Sequence, residues 1–112
     1  MRFEEFWPIE ERLWLGGAED YALRLHPGCL MAFAGAGVLN ADAVRASIGG
    51  QRWLSVTTSE AFLSPIGDGL IVLGYRAEAR KESSAPYRCV CTSTYVRIDA
   101  QWRLVQHQQS AE

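Results

Sequence analysis

Apolar residues change their spacing once along this 112-residue chain, at Gly49-Gly50, from a helical period before to a strand period after. Helices first and strands after is the order of an α+β protein, whose helices dress one face of a mostly antiparallel sheet. Before the switch, Ile9, Leu13 and Trp14 recur at i, i+4, i+5, and Gly16-Gly17 interrupts them. Ala18, Tyr21, Ala22 and Leu25 then resume the spacing until His26-Pro27-Gly28 stops it. Two short helices, or one broken one, follow, with Pro8 in the first turn, where a missing N–H is tolerated. Phe3, Phe6 and Trp7 lead in and must cover something apolar. Cys29 to Ala34 is too short and too apolar for a surface helix and reads as a strand, with a sharp turn at Gly35-Ala36-Gly37. A third helix of about ten residues starts from the N-cap Asn40, carries Asp42 in its first turn and Val44 and Ile48 on one face, and stops at Gly49-Gly50.

After the switch, four strands are expected: Trp53 to Phe62, Leu70 to Arg80, Tyr87 to Ile98, and Trp102 to about Gln109. Turns at Pro65 to Gly69, Lys81 to Pro86 and Asp99-Ala100 make them antiparallel. In the second run Ile71, Leu73, Tyr75, Ala77 and Ala79 share a face, and in the third Tyr87, Cys89, Cys91, Ser93 and Tyr95 do. Neither face of this sheet is plainly wet, and no further helices are available to cover the second one. A homodimer packed through the outer sheet face, with two-fold symmetry, is therefore expected.

Length and composition narrow the function classes. At 112 residues with 48% hydrophobic content, the chain is expected to form one domain spanning 1–112, and disorder is excluded. Eleven Lys and Arg against 13 Asp and Glu, with no block of like charge, offer no footprint for nucleic acid or an anionic membrane. No apolar stretch approaches the roughly 20 residues that cross a bilayer. Three cysteines cannot all pair, and no leader-like opening is visible, so a cytoplasmic setting is expected.

The order of elements, together with particular stretches, resembles the nuclear-transport-factor-2-like superfamily, in its branch of small proteins similar to ketosteroid isomerase and SnoaL-type polyketide cyclases. The resemblance rests on Tyr21-Ala22-Leu23-Arg24-Leu25-His26-Pro27, on Cys29 to Phe33 with Gly37-Val38-Leu39 leading into Asp42 to Ile48, and on Ser93-Thr94-Tyr95-Val96-Arg97 followed by Trp102 to Gln109. It implies a cone-shaped, strongly curved, mostly antiparallel sheet wrapped around N-terminal helices, a conical pocket and common dimerisation. It says shape rather than activity.

Enzymes of that branch place a carboxylate base and a hydrogen-bond donor pair in an apolar pocket. No copy of that set is evident. Asp20 and Asp42 sit at helix surfaces or starts, Asp68 and Asp99 in turns, and only Glu60 and Glu78 in strands, Glu78 sharing a face with Arg76 as an ordinary ion pair. His107, in the last strand, is the best catalytic candidate, against the blander reading of a structural hydrogen-bonding residue. His26 reads as a helix-end cap. Cys89 and Cys91 share a strand face and make a poor chelate, so no metal and no cofactor are expected. Trp14, Tyr21, Phe33, Trp53, Tyr75, Tyr95 and His107 are the candidate ligand-binding residues, because large flat side chains with one polar handle suit flat apolar ligands.

The leading expectation is thus a homodimeric pocket protein that binds a small, partly apolar molecule. A cofactor-independent isomerase, cyclase or hydratase is the alternative, with His107 as acid/base and Tyr21, Tyr75 or Tyr95 as donors to an oxyanion. A structural protein-interaction module is the third. Cavity geometry separates them: a cavity filled by Trp14, Phe33 and Trp53 favours the structural reading, whereas His107 and a tyrosine hydroxyl converging in one hollow favours chemistry.

Overall fold

A computed structural model describes residues 1–82 and 84–112. A 3-10 turn over Phe3–Glu5 leads into α1 (Phe6–Leu15) and α2 (Ala18–Arg24). Strands β1 (Leu25–Phe33) and β2 (Gly37–Asn40) form a hairpin, followed by α3 (Ala41–Ser47). Then come β3 (Ser55–Ile66), β4 (Leu70–Arg80), β5 (Tyr87–Ile98) and β6 (Gln101–Ala111). The six strands lie in the order β2-β1-β6-β5-β4-β3. Every neighbouring pair is antiparallel except β1 with β6.

The α+β architecture and the four-stranded meander match the sequence reading, and three local differences have physical causes. The first concerns β1, which begins at Leu25 rather than Cys29. Leu25 pairs with Leu104 and Leu30 with Gln106, and the irregularity between them lets Pro27, which has no N–H, sit in the strand without leaving a ladder gap. His26 is consequently no helix cap: its Nδ1 accepts from the Gly28 amide at 2.9 Å, as part of that irregularity. The second is β2, which appears where a bend alone was expected. Gly35 and Gly37 take positive φ (86° and 81°), and this reverses the chain tightly enough for Leu30 to Phe33 to pair with Gly37 to Asn40. The third is α3, which is seven residues long; Asn40 caps it through a bond from the Ala43 amide, as expected, but Ile48 already leaves helical geometry.

The helices bury their apolar stripes against one face of the sheet. Phe6 packs edge-on against Tyr95 (5.3 Å between ring centroids) and Trp102 (5.1 Å), and Trp7 packs edge-on against Tyr75 (5.8 Å), so two of the three lead-in aromatics cover the core while Phe3 is exposed. Gly16, between α1 and α2, is needed for close approach: a Cβ there would lie 2.7 Å from the Arg12 carbonyl oxygen. The Asp99-Ala100 turn has positive φ at both residues (50° and 64°), the twist that joins β5 to β6 tightly. Pro65 falls inside β3, an edge strand, where its missing donor leaves no partner unsatisfied.

A slip in register between β5 and β6 decides what faces inward. Thr94 pairs with Gln106, whereas Tyr95 pairs with Leu104. The extra residue, Val105, forms a bulge that lets Leu104 and His107 both point to the helix side, although strict alternation would set them on opposite faces. Among the described residues no helix is long and apolar enough to cross a membrane.

Candidate functional site

Glu10 is the centre of a polar cluster buried between α1 and the inner face of β4, β5 and β6. It shares its helical face with Phe6, Leu13 and Trp14 and is 1% exposed. A carboxylate cannot be left bare in such a place, and here it is not. Its Oε2 accepts the Tyr75 hydroxyl at 2.5 Å and the Ser93 hydroxyl at 2.5 Å, and its Oε1 accepts the Tyr95 hydroxyl at 2.5 Å. Burial acts to raise the Glu10 pKa, but the contacts with His107, Ser93 and Tyr75 outweigh it and hold the group below the ordinary 4.5. The tyrosines respond in the opposite sense: burial first, and then the Glu10 charge, push the Tyr75 and Tyr95 hydroxyls above the usual tyrosine value, so they stay protonated as donors.

The cluster fixes the orientation of the His107 ring. Ser93 gives its only hydrogen to Glu10, so its oxygen accepts from His107 Nδ1, 2.7 Å away; Nδ1 therefore carries a hydrogen. On the other side of the ring, Gln109 Oε1 accepts the Tyr87 hydroxyl at 3.0 Å. This turns the Gln109 amide nitrogen towards His107 Nε2, 3.1 Å away. The result is one directed chain from Tyr87 through Gln109, His107 and Ser93 to Glu10. A second branch joins it, in which the Trp14 indole donates to the Tyr75 hydroxyl at 3.1 Å.

Above this polar floor lies a cavity of about 400 Å³. Of the residues expected to bind a ligand, Trp14, Tyr21, Phe33, Trp53 and His107 line it. Trp14, Phe33 and Trp53 wall the hollow rather than fill it. Tyr75 and Tyr95 do not line it: their hydroxyls are spent on Glu10 beneath the floor and cannot serve as donors to a molecule inside. Tyr21 donates to the Leu13 carbonyl at 2.6 Å and accepts from Arg52 at 3.1 Å.

Several lining residues escaped the sequence reading. Glu10 sits in the run Ile9-Glu10-Glu11-Arg12, which reads as a solvated helix face. The signal that finds it is its spacing of four from Phe6 and of three and four before Leu13 and Trp14. An apolar-site carboxylate is thus present, and it is none of Asp20, Asp42, Asp68, Asp99, Glu60 or Glu78. Arg52 lies in the segment between α3 and β3, where it closes the end of α1: Nε donates to the Gly16 carbonyl at 2.7 Å and Nη2 to the Leu13 carbonyl at 2.7 Å. Tyr87 stacks on Trp53 (5.5 Å, 15° between planes), making one flat wall. Nothing local in the sequence distinguishes Arg52 from other loop arginines.

The remaining candidates lie elsewhere. Glu78 bonds Arg88 at 2.9 Å and Arg80 at 3.4 Å on the outer face, while Arg76 pairs with Glu60 and Glu112 instead of Glu78. Cys89 and Cys91 are buried with their sulfurs 3.4 Å apart, and Cys29 Sγ faces the Leu30 carbonyl. Among the described residues no group of three or more His, Cys, Asp or Glu is placed to hold a metal.

Compared by sequence, the chain matches no family model and no curated protein. Compared by structure, it is similar to an NTF2-like protein from Cytophaga hutchinsonii, with TM-score 0.85 and 16% identity over 100% of both chains. It is also similar to an NTF2-like protein of unknown function in nutrient uptake from Rhodospirillum rubrum, with TM-score 0.80 and 16% identity over 100% of this chain and 99% of that one. The association domain of C. elegans CaMKII follows the same path, with TM-score 0.79 and 11% identity over 96% of this chain and 90% of that one. The chain has the nuclear-transport-factor-2-like fold.

Proposed function

We propose that this protein is a cytoplasmic, single-domain pocket protein, similar to the SnoaL and ketosteroid isomerase branch, that binds a small, partly apolar molecule in the cavity over Glu10 and His107. The observation that carries this reading is an aromatic-walled hollow of about 400 Å³ whose polar floor is already hydrogen-bonded within the protein. That size falls within the range of small-molecule sites, roughly 300–1,000 Å³. A hollow kept open between Trp14, Phe33 and Trp53 forgoes packing energy that a collapsed core would gain, which favours a use for the space.

A catalytic reading is supported by one feature, the chain from Glu10 through Ser93 to His107. It holds the imidazole of the cavity-lining His107 in one orientation, which an acid/base group needs. In that reading His107 moves a proton to or from the bound molecule, with Gln109 bonded to its Nε2. Self-association through the outer sheet face belongs to the proposal as well. Phe62 stands opposite Gly74 on that face and is 75% exposed, with Val90 and Ile66 also exposed. The likeness to an association domain supports the same idea.

Native mass spectrometry of the freshly purified protein tests these points together. A dimer carrying a defined extra mass that disappears on denaturation is the expected spectrum. A bare monomer overturns self-association. If tryptophan fluorescence then stays unchanged across a panel of small aromatic and aliphatic compounds, the pocket reading fails too.

A further inference from the structure

We propose that the molecule this cavity takes carries an anionic oxygen group, such as a carboxylate, on a flat apolar body, and that Arg52 holds that group. The inference rests on the pocket reading and narrows it to a class of ligand.

Arg52 is half-buried and lines the cavity. A guanidinium has five N–H donors. Three are spent on the Gly16 and Leu13 carbonyls and the Tyr21 hydroxyl, through Nε and Nη2. The two on Nη1 have no protein acceptor among the described residues. Arg12, Arg45, Arg76, Arg80 and Arg88 all pair with carboxylates, whereas Arg52 pairs with none among the described residues. The carbonyl end of α1 offsets part of its charge. A full counter-charge is missing, and a half-buried cation facing an apolar hollow gains most from one.

A second cation stands at the same wall. Lys81 Nζ lies 4.6 Å from the centroid of the Trp53 ring, and Lys81 likewise forms no ion pair among the described residues. Trp53, whose ring Lys81 covers, lines the cavity together with Arg52 and Tyr87, so Lys81 adds positive charge behind that wall without lining it. Glu10 sets the opposite polarity at the floor. Its oxygens already accept three hydroxyls, so it offers an incoming anion only repulsion. An anionic group is therefore directed to the free Nη1 of Arg52, which can donate a charge-assisted hydrogen bond to it, and the flat body lies along the aromatic wall.

The test is calorimetric titration with two matched pairs of probes: 2-naphthoate with 2-naphthamide, and cinnamate with cinnamamide. Each acid is expected to bind more tightly than its neutral amide by about tenfold or more, the size of one charge-assisted hydrogen bond. Arg52→Met is expected to erase that preference while leaving amide binding in place; Arg52→Lys is expected to keep part of it. Because Arg52 also closes α1, each variant is checked by its melting temperature. Should Arg52→Met not fold, Arg52→Lys decides: the preference for acid over amide must fall. Equal affinities of acid and amide in the wild type, or a preference left unchanged by Arg52→Met or, where that variant does not fold, by Arg52→Lys, overturn the proposal and leave the pocket reading intact. No binding by any of the four probes overturns the proposal, and if the fluorescence panel is silent as well, the pocket reading fails with it.

Discussion

On the inner face of β4, β5 and β6, Tyr75, Ser93, Tyr95 and His107 are buried and converge on one carboxylate from α1. On the outer face of the same strands, Glu78, Arg80 and Arg88 form a comparable set of polar contacts in reach of water. The chemistry is alike and the energetics are not. Outside, water replaces any lost partner, and a pair is worth about 0–1 kcal/mol. Inside, a lost partner leaves a desolvated group with nothing to bond, and the cost is that of the orphan rather than of the bond. The polar groups that matter most for stability and for shaping the cavity are therefore those hidden from solvent.

The sharpest way to break this contrast is Glu10→Ala. It strands two tyrosines, Ser93 and His107 around a void, and should cost about 3–5 kcal/mol in urea unfolding, as for removal of one member of a buried ionic set. A loss under 1 kcal/mol would mean that water reaches the cluster and that the two faces are equivalent. The same carboxylate gives the contrast a pH signature. Its pKa is depressed in the folded protein, so its contribution is fully present above the unfolded value of 4.5 and is lost as pH falls from there through the lower folded value. Glu10→Gln should therefore flatten the acid limb of stability against pH; an acid limb identical to that of the wild type would refute the assignment.

Tyr95→Phe is the milder probe. It deletes one of three hydroxyls on Glu10 without altering the ring that packs on Phe6, and should cost about 1.5–3 kcal/mol. Measured with Glu10→Gln in a double-mutant cycle, the two losses should couple, since they share one bond. The smallest effect belongs to the outer face, where Glu78→Ala should change stability by about 1 kcal/mol or less, with that small effect shrinking further as salt is raised.

These contrasts also explain what the sequence made legible. The order of helices and strands, the Asn40 cap and the Asp99-Ala100 turn all follow from signals within a few residues, and each lies where local chemistry puts it. The inward face of β6 was not readable, because the Val105 bulge arises from pairing with β5 and brings Leu104 and His107 to the same side. Glu10 looked like one of three charged residues in a row. Its spacing from Phe6, Leu13 and Trp14 puts it on the buried face, but the hydroxyls that satisfy it there come from strands 65 to 85 positions away, which no local pattern reports. The aromatic inventory was more informative in bulk than singly: five of the seven candidate residues wall the cavity, while Tyr75 and Tyr95 serve its foundation.

The place of β6 in the sheet has a consequence for how the molecule comes into being. It stands between β1 and β5 and, among the described residues, is the one strand whose ladders join the β1–β2 hairpin to the β3–β4–β5 meander. Until β6 is synthesised, the two halves stay unjoined. Glu10, from the first helix, then waits for His107, from that last strand, before its site exists. Such long-range closure makes folding slow, with apolar strand faces open in the interval. The late, long-range pairing of β6, rather than any local contact, is then the step on which formation of the cavity waits.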